Sequence, residues 1–375
     1  MKKRTVRRRV TFFLIVIFLF LFGSFFLFAG KYTSLLIHLI LPQRESLVRT
    51  NGNISVLLLG IGGGNHDGPN LSDTMIFASL DPARNKVTLI SIPRDLWMPE
   101  IKGKINTSYA NGEAEKKGGG LVLAKAVVAK IIGQDVPYAV RVDFSGFEKA
   151  VDLVGGLTIN VDKTFDDYEY PIDGQENNLC GKTQLEISQE ATVSANVTDS
   201  ELYPCRYKRI HFNVGKQTMD GQTALEYVRS RHAVGSEGSD FARSKRQQKV
   251  ISAFKDKLLS VSTLLNPVKI LNLYGVLKGS IDTNITQSEM VDFIRLASGM
   301  KKTNMINAAL DTGDTATERV GLLVHPLPKQ NANSDFGLEW VLIPRVGEGN
   351  YTEIGQYVSC ILEKANCVVG KLPKI

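Results

Sequence analysis

The chain has 375 residues, 43% hydrophobic and 22% charged, enough for a sizeable core, which excludes a disordered or collagen-like polypeptide. Its formal charge is +7, but Lys2, Lys3, Arg4, Arg7, Arg8 and Arg9 supply six of those charges, and 7 − 6 leaves +1 for everything else. That near-neutral remainder, with one basic cluster only, argues against a nucleic-acid partner.

Residues 1–10 form a basic tail, and residues 11–30 (TFFLIVIFLFLFGSFFLFAG) carry no charge. About 20 apolar residues at 1.5 Å rise match a hydrocarbon core about 30 Å thick, so the run predicts a transmembrane helix. With no A-x-A cleavage pattern after it, the expectation is an uncleaved signal-anchor. The basic flank stays cytoplasmic by the positive-inside rule, which places the rest outside the cell membrane. Residues 31–52 read as a juxtamembrane linker, 53–365 as one extracytoplasmic domain and 366–375 as a tail.

Residues 54–59 (ISVLLL), 75–80 (MIFASL) and 87–92 (VTLISI) are short apolar runs bounded by turn formers, the pattern of buried strands. Residues 121–132 have helical spacing and end at Gly133. A strand at 138–142, a helix at 144–154 ending in Gly155-Gly156 and a strand at 157–161 follow. This alternation predicts an α/β fold, with a mostly mixed central sheet flanked by helices on both faces. From 173 to 209 the pattern dissolves into polar residues bracketed by Cys180 and Cys205, as in an inserted loop held by a disulfide. Helical patterns resume at 220–228, 241–259, 267–277 and 287–296; a strand at 340–343 and a helix at 352–362 close the chain.

The four cysteines lie in the exported part, where disulfides persist, and Cys180–Cys205 with Cys360–Cys367 is the simplest of three connectivities. No C-x-x-C occurs and no histidines pair at ligand spacing, which argues against a structural zinc site.

Chemistry concentrates in two places. The first is Tyr227-Val-Arg229-Ser-Arg231-His232 followed by Asp240-Phe-Ala-Arg243-Ser-Lys-Arg246-Gln247-Gln248. In an extended chain Arg229 and Arg231 share one side. Asp240, Arg243 and Gln247 share a helix face at i, i+3 and i+7. Both segments can converge on one anion, and arginine suits phosphate because its planar fork donates bidentately and never loses its charge.

The second place is Ser72-Asp73-Thr74 before one strand with Pro93-Arg94-Asp95 after the next, at strand ends where α/β sheets put ligands. Asp73 there can hold a magnesium ion, which favours one or two carboxylates plus substrate phosphates. The run Gly60-Ile-Gly-Gly-Gly64 lacks the G-K-[ST] and the following helix of a phosphate loop, and no G-x-S-x-G or H-E-x-x-H occurs. The acidic residues Asp162, Asp166, Asp167 and Glu169 read as a solvated surface or turn.

In order, the motifs are LLLG, S-D-T-M, I-P-R-D, K-I-N-x-S-Y, V-D-F-x-x-F, V-D-x-V-G-G, G-Q-T-A-L-E-Y-V-R-S-R and D-x-x-R-x-x-R-Q-Q. This set resembles the LytR-CpsA-Psr family over roughly residues 53–310, with a weaker match at 339–362. The resemblance implies a Mg²⁺-dependent phosphotransferase that moves a glycan-1-phosphate from a polyprenyl-pyrophosphate lipid to a peptidoglycan hydroxyl. It implies that Asp73 binds metal, that Arg94, Arg229 and Arg231 grip the pyrophosphate, and that Asp240, Arg243 and Gln247 complete the site. One departure stands out: the family's L-L-L-G-x-D aspartate is replaced by Gly62, and Asp67 in the same loop is the candidate to compensate as metal ligand. A non-catalytic exported module that binds prenyl lipid or cell-wall polymer and regulates, and a polyprenyl-pyrophosphate phosphatase, are the alternative readings.

Overall fold

The computed structural model describes residues 46–64, 66, 68–193, 197–258, 279–300, 303–314, 318–326, 336–337, 339–364 and 367–369. The expected membrane span, most of the linker, Asp67 and the helix expected at 267–277 lie outside them. The chain divides into two compact units, Met1–Leu47 with Ile285–Gly299, and Val48–Asn284 with Met300–Ile375. The smaller unit carries a helix, Gln287–Gly299, on which Asp292 accepts hydrogen bonds from the Ser46 amide and hydroxyl at 2.9 and 2.8 Å.

The larger unit begins with β1 (Ile54–Ile61), β2 (Ser72–Asp81) and β3 (Lys86–Ser91), followed by the short β4 (Trp97–Met98) and β5 (Gly103–Lys104). Then come α1 (Ser108–Glu115), α2 (Gly120–Ile132), β6 (Tyr138–Asp143), α3 (Phe144–Leu153), β7 (Leu157–Val161) and β8 (Phe165–Pro171). After α4 (Gln184–Val193) and α5 (Asp199–Leu202) follow β9 (Tyr207–Phe212), β10 (Gly215–Met219), α6 (Gly221–Arg229) and α7 (Asp240–Leu258). β11 (Ile281–Thr283), β12 (Asn304–Ala309) and α8 (Thr352–Glu363) complete it, with further two-residue strands between the last two.

The central sheet has the order β11-β6-β1-β2-β3-β12. β1 runs parallel to β6, and β3 parallel to β12, while the β1–β2, β2–β3 and β6–β11 pairs are antiparallel. The expected mixed sheet with helices on both faces is therefore present. Its strands read as continuous apolar runs because both faces are covered. Leu57, Leu59, Met75, Phe77 and Ile90 pack against α2 and α8 through Ala124, Val128, Ile131, Ile354 and Val358. Ile76, Ala78 and Leu89, one position out of phase, pack on the other face with Ile251 of α7. Each fully buried Leu, Ile or Phe contributes about 1.5–3 kcal/mol to this sandwich.

Local signals set the boundaries. Gly133 ends α2 in the left-handed region at φ 64°, its N–H donating to the Ala129 carbonyl. Asp143 caps α3 by accepting from Gly146 N at 2.8 Å. A second core packs β7, β8, β9 and β10 against α3, α6 and α7 around Phe165, Phe212, Tyr227 and Val250, with the two phenylalanine rings stacked at 5.2 Å.

Some expectations need correction. Between β8 and β9 the described residues of the polar stretch hold α4 and α5, and β9 already starts at Tyr207. Both disulfides form as the simplest pairing had them, Cys180–Cys205 and Cys360–Cys367. The strand expected at 340–343 reduces to Ile343–Pro344, paired with Leu323–Val324, while Trp340 is exposed. Nor is Asp167 a solvated residue: it is 1% exposed.

Candidate functional site

Because β1, β3, β6 and β12 run in one direction and β2 in the other, the C-terminal ends of the four meet the start of β2 at one sheet edge. That edge is where open α/β sheets bind ligands. A cleft there is lined by Asp73, Thr74 and Met75 at the start of β2, Ser91 to Arg94 after β3, Ala309 to Asp311 after β12, and Arg243, Ser244 and Gln247 of α7. Four predicted site residues, Asp73, Arg94, Arg243 and Gln247, thus share one cleft, although they come from three separated stretches of sequence.

The packing that brings them together is polar and specific. Gln247 donates to the Thr74 hydroxyl at 2.8 Å, and Gln248 donates to Ser91 Oγ at 3.2 Å and to the Ala308 carbonyl at 3.1 Å. These consecutive amides moor α7 to three strand ends, with Arg243 one turn earlier on the Gln247 face. Arg94 Nη1 donates to Asp73 Oδ1 at 2.5 Å. The Arg94 Nε atom is buried with no hydrogen-bond partner among the described residues, and Asp95 Oδ2 stands beyond reach at 3.7 Å. A buried donor without an acceptor costs about 1–3 kcal/mol, which a bound anion would recover.

The R-S-R segment is built differently from the extended chain expected. Arg229 is the last residue of α6, and the turn at Ser230 sends Arg231 out to solvent. Arg229 Nη1 and Nη2 both donate to Asp173 Oδ1 at 3.1 Å, and the guanidinium lies over the Phe144 ring at 4.2 Å. Its fork therefore belongs to a second cluster, next to the cleft but beside β1 and β6. Asp240 opens α7, but its side chain, like Asp67, lies outside the described residues.

Two buried charges brace this segment. Asp167 accepts from Ser230 Oγ at 2.7 Å, Arg231 N at 3.1 Å and His232 N at 3.2 Å. Arg246, 2% exposed, donates to the carbonyls of Tyr227, Ser230 and Glu237 at 2.9, 2.7 and 2.8 Å. Sequence reasoning placed Asp167 on the surface and gave Arg246 no role of its own; Asp311 was not seen because β12, NMINAA, has no clear strand pattern.

The second cluster centres on Asp173. His66 Nε2 lies 3.0 Å from Asp173 Oδ1, and the neighbouring carboxylate raises the imidazole pKa above its ordinary value. His66, then Arg229, hold the Asp173 carboxyl below the usual range. The His66 ring also fills the space beside Gly62: a Cβ there would stand 2.9 Å from His66 Cβ and Cγ. An aspartate at position 62 is thus incompatible with this placement of His66.

Asp73, whose side chain is 44% exposed, is the carboxylate of the first cleft that would offer a magnesium ion the hard oxygen it takes. Such an ion would have no carboxylate at position 62.

Arginines, a glutamine and a carboxylate are thus gathered at the strand-end cleft of an α/β domain. The LytR_cpsA_psr family model matches residues 38–333, and the chain belongs to that family. It is 29% identical over 245 residues to the polyisoprenyl-teichoic acid–peptidoglycan teichoic acid transferase TagU of Bacillus cereus, 64% of this chain and 62% of that protein. It is 28% identical over 252 residues to the regulatory protein MsrR of Staphylococcus aureus, 66% of this chain and 61% of that protein. The match thus spans less than two thirds of the length of either relative. In fold it is similar to the Lin1025 protein of Listeria innocua, at 23% identity and a TM-score of 0.53, covering 84% of this chain and 98% of that one.

Proposed function

We propose that this protein transfers a glycan-1-phosphate from a polyprenyl-pyrophosphate lipid to a peptidoglycan hydroxyl, from a membrane-anchored position outside the cytoplasm. The observation that carries the reading is the cleft shared by Asp73, Arg94, Arg243 and Gln247, with the unsatisfied Arg94 donor inside it. Family membership and the TagU relative support the substrate class. The anchor rests on the uncharged run at 11–30.

In this reaction an acceptor hydroxyl oxygen attacks the phosphorus that bears the glycan. The bond from that phosphorus to the bridging oxygen breaks, polyprenyl phosphate leaves, and the hydroxyl proton passes to a base or to water. Phosphoryl transfer of this kind depends on positioning and charge neutralisation. Arg94 and Arg243 would orient and neutralise the pyrophosphate oxygens, and Gln247 would hold Thr74 and hence the Asp73 segment in place. A magnesium ion held by Asp73 would add charge neutralisation on the leaving phosphate.

A second reading, a non-catalytic binder of prenyl lipid or wall polymer that regulates, draws support from the missing carboxylate at Gly62 and from the MsrR relative. The test is mass spectrometry of the full chain in detergent with a polyprenyl-pyrophosphoryl oligosaccharide, a peptidoglycan fragment and Mg²⁺, alongside Arg94→Ala and Asp73→Ala. A glycan-phosphate adduct that falls at least about 100-fold in both variants is expected, as for loss of a group stabilising transition-state charge. Intact lipid bound without product favours the regulator, and release of glycan phosphate to water identifies a phosphatase.

A further inference from the structure

The reading above assigns no role to His66, Asp173 and Glu176. His66 belongs to the connection between β1 and β2, and Asp173 and Glu176 to the stretch that follows β8, ahead of Cys180 and its disulfide to Cys205. One donor atom from each, an imidazole nitrogen and two carboxylate oxygens, lies within 4.8 Å of the others. His66 Nε2 lies 3.0 Å from Asp173 Oδ1, yet it is buried with no hydrogen-bond partner among the described residues, a nitrogen still open to an ion. We propose that these three side chains form a binding site for a divalent transition-metal ion of the zinc type, separate from the Asp73 cleft.

The donor set decides the class of ion. Imidazole nitrogen with two carboxylates is a zinc-like set with a fourth position left open, whereas magnesium demands oxygen ligands throughout. The ligands are largely positioned in advance. The His66 ring sits against Gly62 and edge-on to Phe144 at 5.3 Å. Gly174 N donates to Glu176 Oε1 at 3.0 Å.

Charge is the main objection, because Arg229 already sits on Asp173. Two carboxylates against one guanidinium still leave the cluster at −1 with neutral histidine, and a carboxylate has about four lone-pair sites, of which Arg229 occupies part. All four cysteines are in disulfides, so no thiolate competes for the ion. Sequence spacing concealed the site because its histidine and its acids lie on separate loops that only the fold brings together.

The experiment is Zn²⁺ binding to the chelator-stripped full chain, by calorimetry and by elemental analysis after dialysis, with wild type, His66→Gln and Glu176→Gln. The expected result is one equivalent per chain, with affinity falling at least tenfold in each variant while their circular dichroism matches wild type. X-ray absorption of the zinc-loaded wild type, which does not depend on any variant folding, should show nitrogen and oxygen neighbours including one imidazole. No stoichiometric zinc, unchanged affinity in both variants, or an absorption spectrum without imidazole would each overturn the assignment.

Discussion

Asp167 is the residue whose removal tests the architecture of the arginine segment most directly. It is 1% exposed and accepts four hydrogen bonds, from Ser230 Oγ, Arg231 N, His232 N and Glu169 N, between 2.7 and 3.2 Å. Hydrogen bonds to a charged group contribute about 1.5–3 kcal/mol each, but four bonds on one carboxylate are strongly coupled and do not sum. Removing one member of a buried charged set costs about 3–5 kcal/mol, since the remaining donors stay buried without an acceptor. Asp167→Ala should therefore lose about 3–5 kcal/mol. Asp167→Asn keeps the shape but replaces an acceptor with an NH₂ group facing donors, and should lose about half as much. Urea unfolding with linear extrapolation measures both, and with m near 1–3 kcal/mol/M the alanine midpoint drops by at least about 1 M. An Asp167→Ala loss under about 1 kcal/mol would refute the view that this carboxylate holds the turn after α6.

Gly62→Asp should destabilise by about 1–3 kcal/mol through overpacking against the His66 Cβ and ring, and adding His66→Gly, which removes both, should recover more of it than adding His66→Ala, which keeps the Cβ; equal midpoints for the single and both double variants would contradict the clash. Replacing Cys180 and Cys205 by serine opens a 25-residue loop and should cost about 3.5 kcal/mol, against about 2.4 kcal/mol for the 7-residue Cys360–Cys367 loop, and denaturant midpoints of the two double variants check the order. His211 Nδ1 lies 2.9 Å from Asp166 Oδ1, and that contact raises the imidazole pKa above 6.5. Its contribution is fully present below the unfolded value and is lost as pH rises through the raised folded one, so in an NMR titration Asp166→Asn should bring the His211 pKa down toward 6.5.

The sheet was legible because strands buried on both faces announce themselves as short apolar runs: ISVLLL, MIFASL and VTLISI fall within β1 and β2 and across β3. β12 was not legible, since NMINAA has neither a continuous run of large apolar residues nor a regular alternation, and only its pairing with β3 makes it a strand. The same limit applied to the site. Asp73, Arg94, Arg243 and Gln247 could be read from motifs because strand ends and helix periodicity place them. The helical state of Arg229 could not, because its helix continues to the end of a segment that a period of two would have made extended. Asp167 looked like one acid among four; its burial follows from the backbone amides of a turn distant in sequence, which no local pattern encodes.

Gly62 and His66 bear on how the groups around Asp173 are held together. A glycine at position 62 admits the His66 ring into the space a larger side chain would fill, and that ring is what brings an imidazole to Asp173. The same Asp173 carboxylate takes both ends of the Arg229 fork. A glycine at this position therefore does more than leave room. It links the β1–β2 loop, the stretch after β8 and the end of α6 through a single carboxylate. Any cation that draws on Asp173 acts on Arg229 through that shared group. At the proposed metal site, ion occupancy and the Arg229–Asp173 pairing would then be linked, and by reciprocity each would change the other's strength by the same factor.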